Sequence, residues 1–155
     1  MIKKIIIIVI TFLFFSSLNA EIIKKVLIEG NKRISEETIK VYGEIELNKD
    51  YNEVDLNRIL KNLFLTDFFE DIDLKINQGT LNIKVKEYPV VNKLIFVGEK
   101  KKGYREEIKK LIKTKENNSF IKAYLSKDIE IIKKLYSSLG YNFADIVVKT
   151  NEIDK

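Results

Sequence analysis

Ile28-Glu29-Gly30-Asn31-Lys32-Arg33-Ile34-Ser35 closes a short apolar strand, Lys25-Val26-Leu27-Ile28, turns, and opens a helix. A second version starts 68 residues later, at Lys93-Leu94-Ile95-Phe96-Val97-Gly98. In both, an alternating strand meets a glycine and then a polar turn, and Gly30-Asn31 suits the positive φ such a turn needs. The later elements repeat in the same order. Tyr51 stands five residues before Leu56 and Phe120 five before Leu125, each at the head of a helical pattern. Phe69-Glu70-Asp71-Ile72 and Phe143-Ala144-Asp145-Ile146 each open a strand. The offset drifts from 68 to 69 to 74, which places five extra residues inside the second copy's second helix. The chain is therefore a tandem of one module.

Within the first copy, Val26 and Ile28 share one strand face and Lys25 and Leu27 the other. Ser35 is an N-cap, with Glu36 and Glu37 next to it where the helix dipole favours anions. Ile34 and Ile39 have the spacing of a hydrophobic staple, and the helix ends near Gly43. A second helix is capped by Asn52, with Asp55 at N3 and Tyr51 and Leu56 as its staple. Leu56, Ile59, Leu60, Leu63 and Phe64 form one apolar stripe. The period then changes to two. Ile72, Leu74 and Ile76 alternate with Asp71, Asp73 and Lys75, and after a turn at Gly79 Leu81, Ile83 and Val85 alternate with Asn82, Lys84 and Lys86. That is a hairpin with one dry face, which the two helices must cover. The module reads as βααββ, a two-layer α+β sandwich.

At the N-terminus a basic head, Met1-Ile2-Lys3-Lys4, precedes an apolar run from Ile5 to Phe15 and then Ser16-Ser17-Leu18-Asn19-Ala20. This predicts a secretory signal peptide over 1–20, cleaved after Ala20; the run falls short of the roughly 20 residues a membrane span takes. The single proline, Pro89, ends the hairpin and marks the module boundary. The expected domains are 21–88 and 89–155. The second copy stops at Lys149–Lys155, where the first has its turn and last strand, so it is read as truncated, without that strand.

Composition narrows the chemistry. There is no cysteine and no histidine, which removes disulfides, thiol nucleophiles and most acid–base and transition-metal constellations. No glycine-rich phosphate loop occurs, and the acidic residues are explained by caps and wet strand faces. The expectation is no enzyme, no cofactor and no metal site. Net charge is +5, or +3 once the two leader lysines are removed; charges of both signs share every element, which argues against nucleic acid. Lys100-Lys101-Lys102 is read as a solvated loop in preference to a lipid-headgroup contact, and Tyr136 and Tyr141 as core residues with wet hydroxyls.

The glycine turn, the run Leu63-Phe64-Leu65-Thr66-Asp67-Phe68-Phe69-Glu70-Asp71-Ile72 and the segment Leu135-Tyr136 with Gly140-Tyr141-Asn142-Phe143-Ala144-Asp145 together resemble POTRA domains, specifically those at the N-terminus of the BamA family of outer-membrane β-barrel assembly proteins. The second turn departs from the pattern, since Glu99 follows Gly98 where Asn is usual. The further POTRA domains and the transmembrane barrel of that family have no counterpart in these residues. The resemblance implies two helices on a three-stranded mixed sheet, with the last strand of the module central and the hairpin's first strand at the edge. It implies a periplasmic scaffold, attached to the cell outer membrane through that barrel, which binds unfolded outer-membrane protein precursors, accessory assembly lipoproteins and periplasmic chaperones by strand addition, with no nucleic acid among its partners. The partner-binding edges would be Asp71, Ile72, Asp73, Leu74, Lys75 and Ile76 in the first module, and Phe143, Ala144, Asp145, Ile146 and Val147 in the second. Competing readings are a plain solvated edge blocked by Asp71, Asp73 and Lys75, a POTRA protein of two-partner secretion or the divisome, and an exported polyanion- or RNA-binding α+β domain.

Overall fold

The computed structural model describes residues 21–153; the predicted signal peptide, 1–20, lies outside them. Two compact units divide between Glu87 and Tyr88.

The first unit runs β1 (Glu21–Ile23), β2 (Lys25–Glu29), α1 (Glu36–Tyr42), β3 (Lys49–Tyr51), α2 (Glu53–Phe64), β4 (Phe69–Asn77) and β5 (Thr80–Glu87). Its main sheet has the order β2-β5-β4, with β2 parallel to β5 and β4 antiparallel to it. The βααββ expectation therefore holds, and the central strand is the last in sequence. Central placement follows from the residues. Leu81, Ile83 and Val85 are 0%, 1% and 4% exposed, while the flanking strands keep Val26, Ile28, Leu74 and Ile76 only partly buried. The hairpin turns through Gln78 (φ 48°) and Gly79 (φ 73°), the primed geometry whose twist matches the flanking strands. Glu70 is the extra residue of a bulge at the start of β4, between Phe69 and Asp71.

Helix boundaries follow the caps. Ser35 Oγ accepts from Thr38 N at 3.2 Å, and α1 stops at Gly43. Asn52 Oδ1 accepts from Val54 N and Asp55 N at 2.8 and 3.1 Å, while Asp55 Oδ2 accepts from Asn52 N at 3.1 Å, a reciprocal capping box. Ile39, Ile59 and Leu63 reach the core from the helices, against Ile23, Phe69, Ile72 and the β5 side chains. Tyr51 joins them, buried, with its hydroxyl held by the backbone of Glu46. One element lies outside the sequence reading: β1 and β3 form a two-stranded ribbon, Ile22 opposite Asp50.

The second unit contains α3 (Lys102–Leu111) and α4 (Lys122–Ser138). α4 has 17 residues against 12 in α2, so the five-residue offset is spent on helix length. The ribbon recurs as a single bridge, Val90 opposite Ser119, with Val91 N donating to Asn118 O at 2.8 Å and Asn117 N to Val91 O at 2.7 Å. Asn117 takes a positive φ beside this bridge, 66°, as Asn48 does beside the β1–β3 ribbon of the first unit, 62°. Val91, Ile108, Ile112 and Ile121 form a small core. Neither α3 nor α4 has a side-chain N-cap bond. Instead Asp128, 69 residues after Ile59, is buried and accepts from Lys113 N and Thr114 N at 2.7 and 2.8 Å, tying α4 to the segment after α3.

Two expected strands do not form. Residues 93–97 and 143–149 carry no β pairing. Ile95, Val97 and Phe143 are 73%, 92% and 100% exposed. In the first unit both edge strands are held by β5, and no described residue of the second unit occupies that place. In place of a strand partner, Leu94 N donates to the Glu116 carboxylate at 2.8 Å. Among the described residues no helix is long and apolar enough to cross a membrane.

Candidate functional site

The first unit's main sheet has two margins, β2 and β4, and β4 is the one that borders the α2 groove. The register fixes which of its backbone groups are committed. Asn77 and Thr80 close a two-residue loop, so they form a hydrogen-bonded pair, and such pairs alternate along the ladder. Lys75 opposite Asn82, Asp73 opposite Lys84 and Asp71 opposite Lys86 continue that set. The N–H and C=O groups of Ile72, Leu74 and Ile76 therefore point away from β5, to the free edge.

The apolar stripe of α2 is wider than the sheet beneath it. Ile59 and Leu63 are fully buried, whereas Leu56 and Leu60 are partly buried at the margin. With Glu53 and Asn57 on the same side of the helix, they line an open groove whose other wall is Ile72, Asp73 and Leu74 of β4. Sequence reasoning misses Glu53 and Asn57, although they fall at i and i+4 beside Leu56 and Leu60, and the helical period marks them as neighbours of the stripe. The outer face of β4 carries Asp71, Asp73 and Lys75, all exposed. Lys75 Nζ lies 2.6 Å from Asp73 Oδ2, and Lys86 Nζ lies 2.8 Å from Glu70 Oε2. The six predicted edge residues of the first module thus lie together on one strand, paired with β5 on one side only, beside a groove. The second set is not brought into a sheet. Phe143, Asp145 and Val147 are exposed, Ala144 and Ile146 are partly buried, and none is paired.

Behind the edge, β5 is locked to the glycine turn. Gly30 (φ 86°) passes so close to β5 that a Cβ there would lie 2.1 Å from Val85 O. Two residues on, the Glu87 carboxylate accepts from Lys32 N at 2.7 Å, Arg33 N at 2.9 Å and Ile34 N at 3.0 Å, with Arg33 Nε at 3.5 Å. Burial alone would raise this carboxyl's pKa. The three N–H bonds and the Arg33 charge outweigh it and hold the group below its ordinary value. Nothing in the local pattern marks this clasp, which closes over more than 50 residues of sequence.

The turn at Gly98 is built differently. Glu99 accepts from Lys101 N at 2.6 Å and from the Tyr136 hydroxyl at 2.5 Å. The Tyr136 bond comes first in lowering the pKa of Glu99. Burial, then Glu99, pushes Tyr136 up to about 12. Lys101 Nζ sits 4.5 Å from the centre of the Tyr104 ring, and Lys100 and Lys102 are solvated. Tyr136 is partly buried, whereas Tyr141, read as a core residue, is half exposed and packs edge-on against it. Among the described residues no group of acidic side chains could hold a metal ion.

Residues 89–155 match the POTRA family model, described as surface antigen variable number repeat. The chain is 29% identical over 125 residues to the outer membrane protein assembly factor BamA of Neorickettsia risticii (strain Illinois), covering 80% of this chain and 17% of that protein. It is 25% identical over 134 residues to BamA of Neisseria meningitidis serogroup B, covering 84% of this chain and again 17% of the relative. The chain thus spans about a sixth of the length of these curated relatives. Among solved structures, the N-terminal domain of Omp85 from Thermosynechococcus elongatus superposes with a TM-score of 0.55 at 20% identity, over 88% of this chain and 59% of that one. POTRA1-2 of the periplasmic domain of Omp85 from Anabaena gives 0.50 at 16% identity, over 87% and 90%. Residues 89–155 thus match a POTRA domain, and the chain as a whole has the fold of these tandem POTRA structures.

Proposed function

We propose that this chain is the periplasmic POTRA scaffold of an outer-membrane protein assembly factor, and that β4 receives extended segments of unfolded β-barrel precursors by strand addition. Accessory assembly lipoproteins and periplasmic chaperones are the further partners of such a scaffold, and its attachment to the outer membrane would run through a barrel elsewhere in the full-length protein. The observation that supports this reading is the free row of backbone groups at Ile72, Leu74 and Ile76 beside the Leu56–Leu60 groove. Backbone pairing is indifferent to most side chains, which suits a factor that must handle many precursors. The chain acts by binding and holding.

The test is amide exchange in the presence of an extended peptide taken from a β-barrel strand. Binding at the edge slows exchange at Ile72, Leu74 and Ile76 and leaves Asp71, Asp73 and Lys75, already bonded to β5, nearly unchanged. Protection that appears on another element, or on none, overturns the proposal.

A further inference from the structure

The two faces of the β4 edge differ in chemistry, and the difference selects a ligand pattern. We infer that this edge prefers an extended segment in which apolar residues alternate with basic ones, the apolar set lying in the α2 groove and the basic set beside Asp71 and Asp73. The inference rests on the strand-addition reading and adds the side-chain class to it.

An added strand places residues directly opposite Ile72, Leu74 and Ile76 on their face of the sheet, and its alternate residues on the other face. On the first face lies the groove walled by Leu56, Leu60, Ile72 and Leu74. Leu56 and Leu60 are only partly buried, and side chains from an added strand would complete their cover. Val or Leu fits there; a charge would lose its hydration against apolar walls. On the second face the nearest neighbours would be Asp71, Asp73 and Lys75. Lys75 is already engaged by Asp73, and the Lys86 of β5 is engaged by Glu70. Asp71 forms no ion pair among the described residues. Behind β4, Lys84 stands opposite Asp73 and Lys86 opposite Asp71, but on β4 itself, the strand nearest the incoming one, two acids stand beside one base. This local sign opposes that of the whole chain, whose net charge is +5. Long-range attraction would favour an acidic peptide, so a preference for basic residues has to come from the edge itself.

Four peptides decide it, titrated into the protein with the Ile72, Leu74 and Ile76 amide resonances as the readout: alternating Val/Lys, alternating Val/Glu, alternating Val/Ser, and a scramble of the Val/Lys sequence. The Val/Lys peptide is expected to bind roughly fivefold more tightly than Val/Glu, and the scramble to leave the edge amides unmoved. The double variant Asp71→Asn with Asp73→Asn is expected to erase the Val/Lys preference and leave Val/Ser binding unchanged. Both positions are exposed, so the fold is retained, and Val/Ser binding verifies it. Val/Glu binding as tightly as Val/Lys at the same amides overturns the charge preference and leaves strand addition standing. A scramble that binds as well as the alternating peptide overturns the two-faced selection. If no peptide, Val/Ser included, moves the edge amides, strand addition at β4 fails with it.

Discussion

The two units share a ribbon-like pairing, a helix pair and a glycine turn, yet among the described residues only the first has a three-stranded sheet. In the first, β5 pairs with both neighbours and brings three side chains to the centre of the core. In the second, segments 93–97 and 143–149 have the same alternation but pair with no strand among the described residues. The contrast shows that alternation is permission to form a strand, and a partner is what enforces it. It also shows what survives without a sheet: α3 and α4 stay packed on each other, with the Asp128 carboxylate tying α4 to the segment after α3.

The sharpest way to break this comparison is hydrogen exchange read unit by unit. Amides of β5, and those of β4 bonded to it, should exchange at least about a thousandfold more slowly than those of 93–97 and 143–148. Similar rates would mean that the second unit closes a sheet of its own.

Next comes a matched pair of glycines. Gly30→Ala forces a Cβ into the Val85 carbonyl and a positive φ on an L-residue, and should cost at least about 3 kcal/mol in a urea titration. Gly98 also has a positive φ, 90°, but nothing within 4 Å, so Gly98→Ala should cost only about 1 kcal/mol. Equal costs would deny that the first turn is pressed against a central strand. A smaller contrast lies in the helices. Leu63→Ala empties a fully buried site and should cost about 3 kcal/mol, while the partly buried Leu135 of α4 should lose roughly half that. Asp73→Ala, on the wet face, should be nearly neutral.

The smallest effect is in pH. Glu87 has a folded pKa below its unfolded one, so its stabilisation is complete at neutral pH and is lost as pH falls through the folded value. The first unit should weaken on acidification below about pH 5, and Glu87→Gln should flatten that profile while costing about 1–2 kcal/mol at neutral pH. An unchanged acid profile in the variant would remove the clasp from the stability of the unit.

The sequence carries the local features because they are encoded within a few residues. Ser35, Asn52 and Asp55 cap where their types say they should, and the switch from the α2 stripe to the Ile72–Val85 alternation marks the hairpin. The β4 edge is legible only through the family resemblance, since alternation does not say which neighbour a strand has. Three features are hidden for physical reasons. β3 is three residues long, Lys49-Asp50-Tyr51, with no hydrophobic period to report it. The Glu87 clasp joins residues whose proximity exists only after folding. The failure of 93–97 and 143–149 to pair is a property of what lies between them, not of their own residues.

The main sheet also imposes an order in time. Its central strand is the last to be made, and β2 meets it in parallel, Lys25 opposite Thr80. A chain that emerges N-terminus first, from a ribosome or a translocation channel, exposes β2 and β4 while the strand that joins them is still inside. Until Glu87 is out, both wait as unprotected apolar ribbons, open to any other extended chain nearby. The segment Thr80–Glu87 is the closing stroke of the first unit, and anything that delays its arrival lengthens the interval in which that unit can pair with the wrong strand.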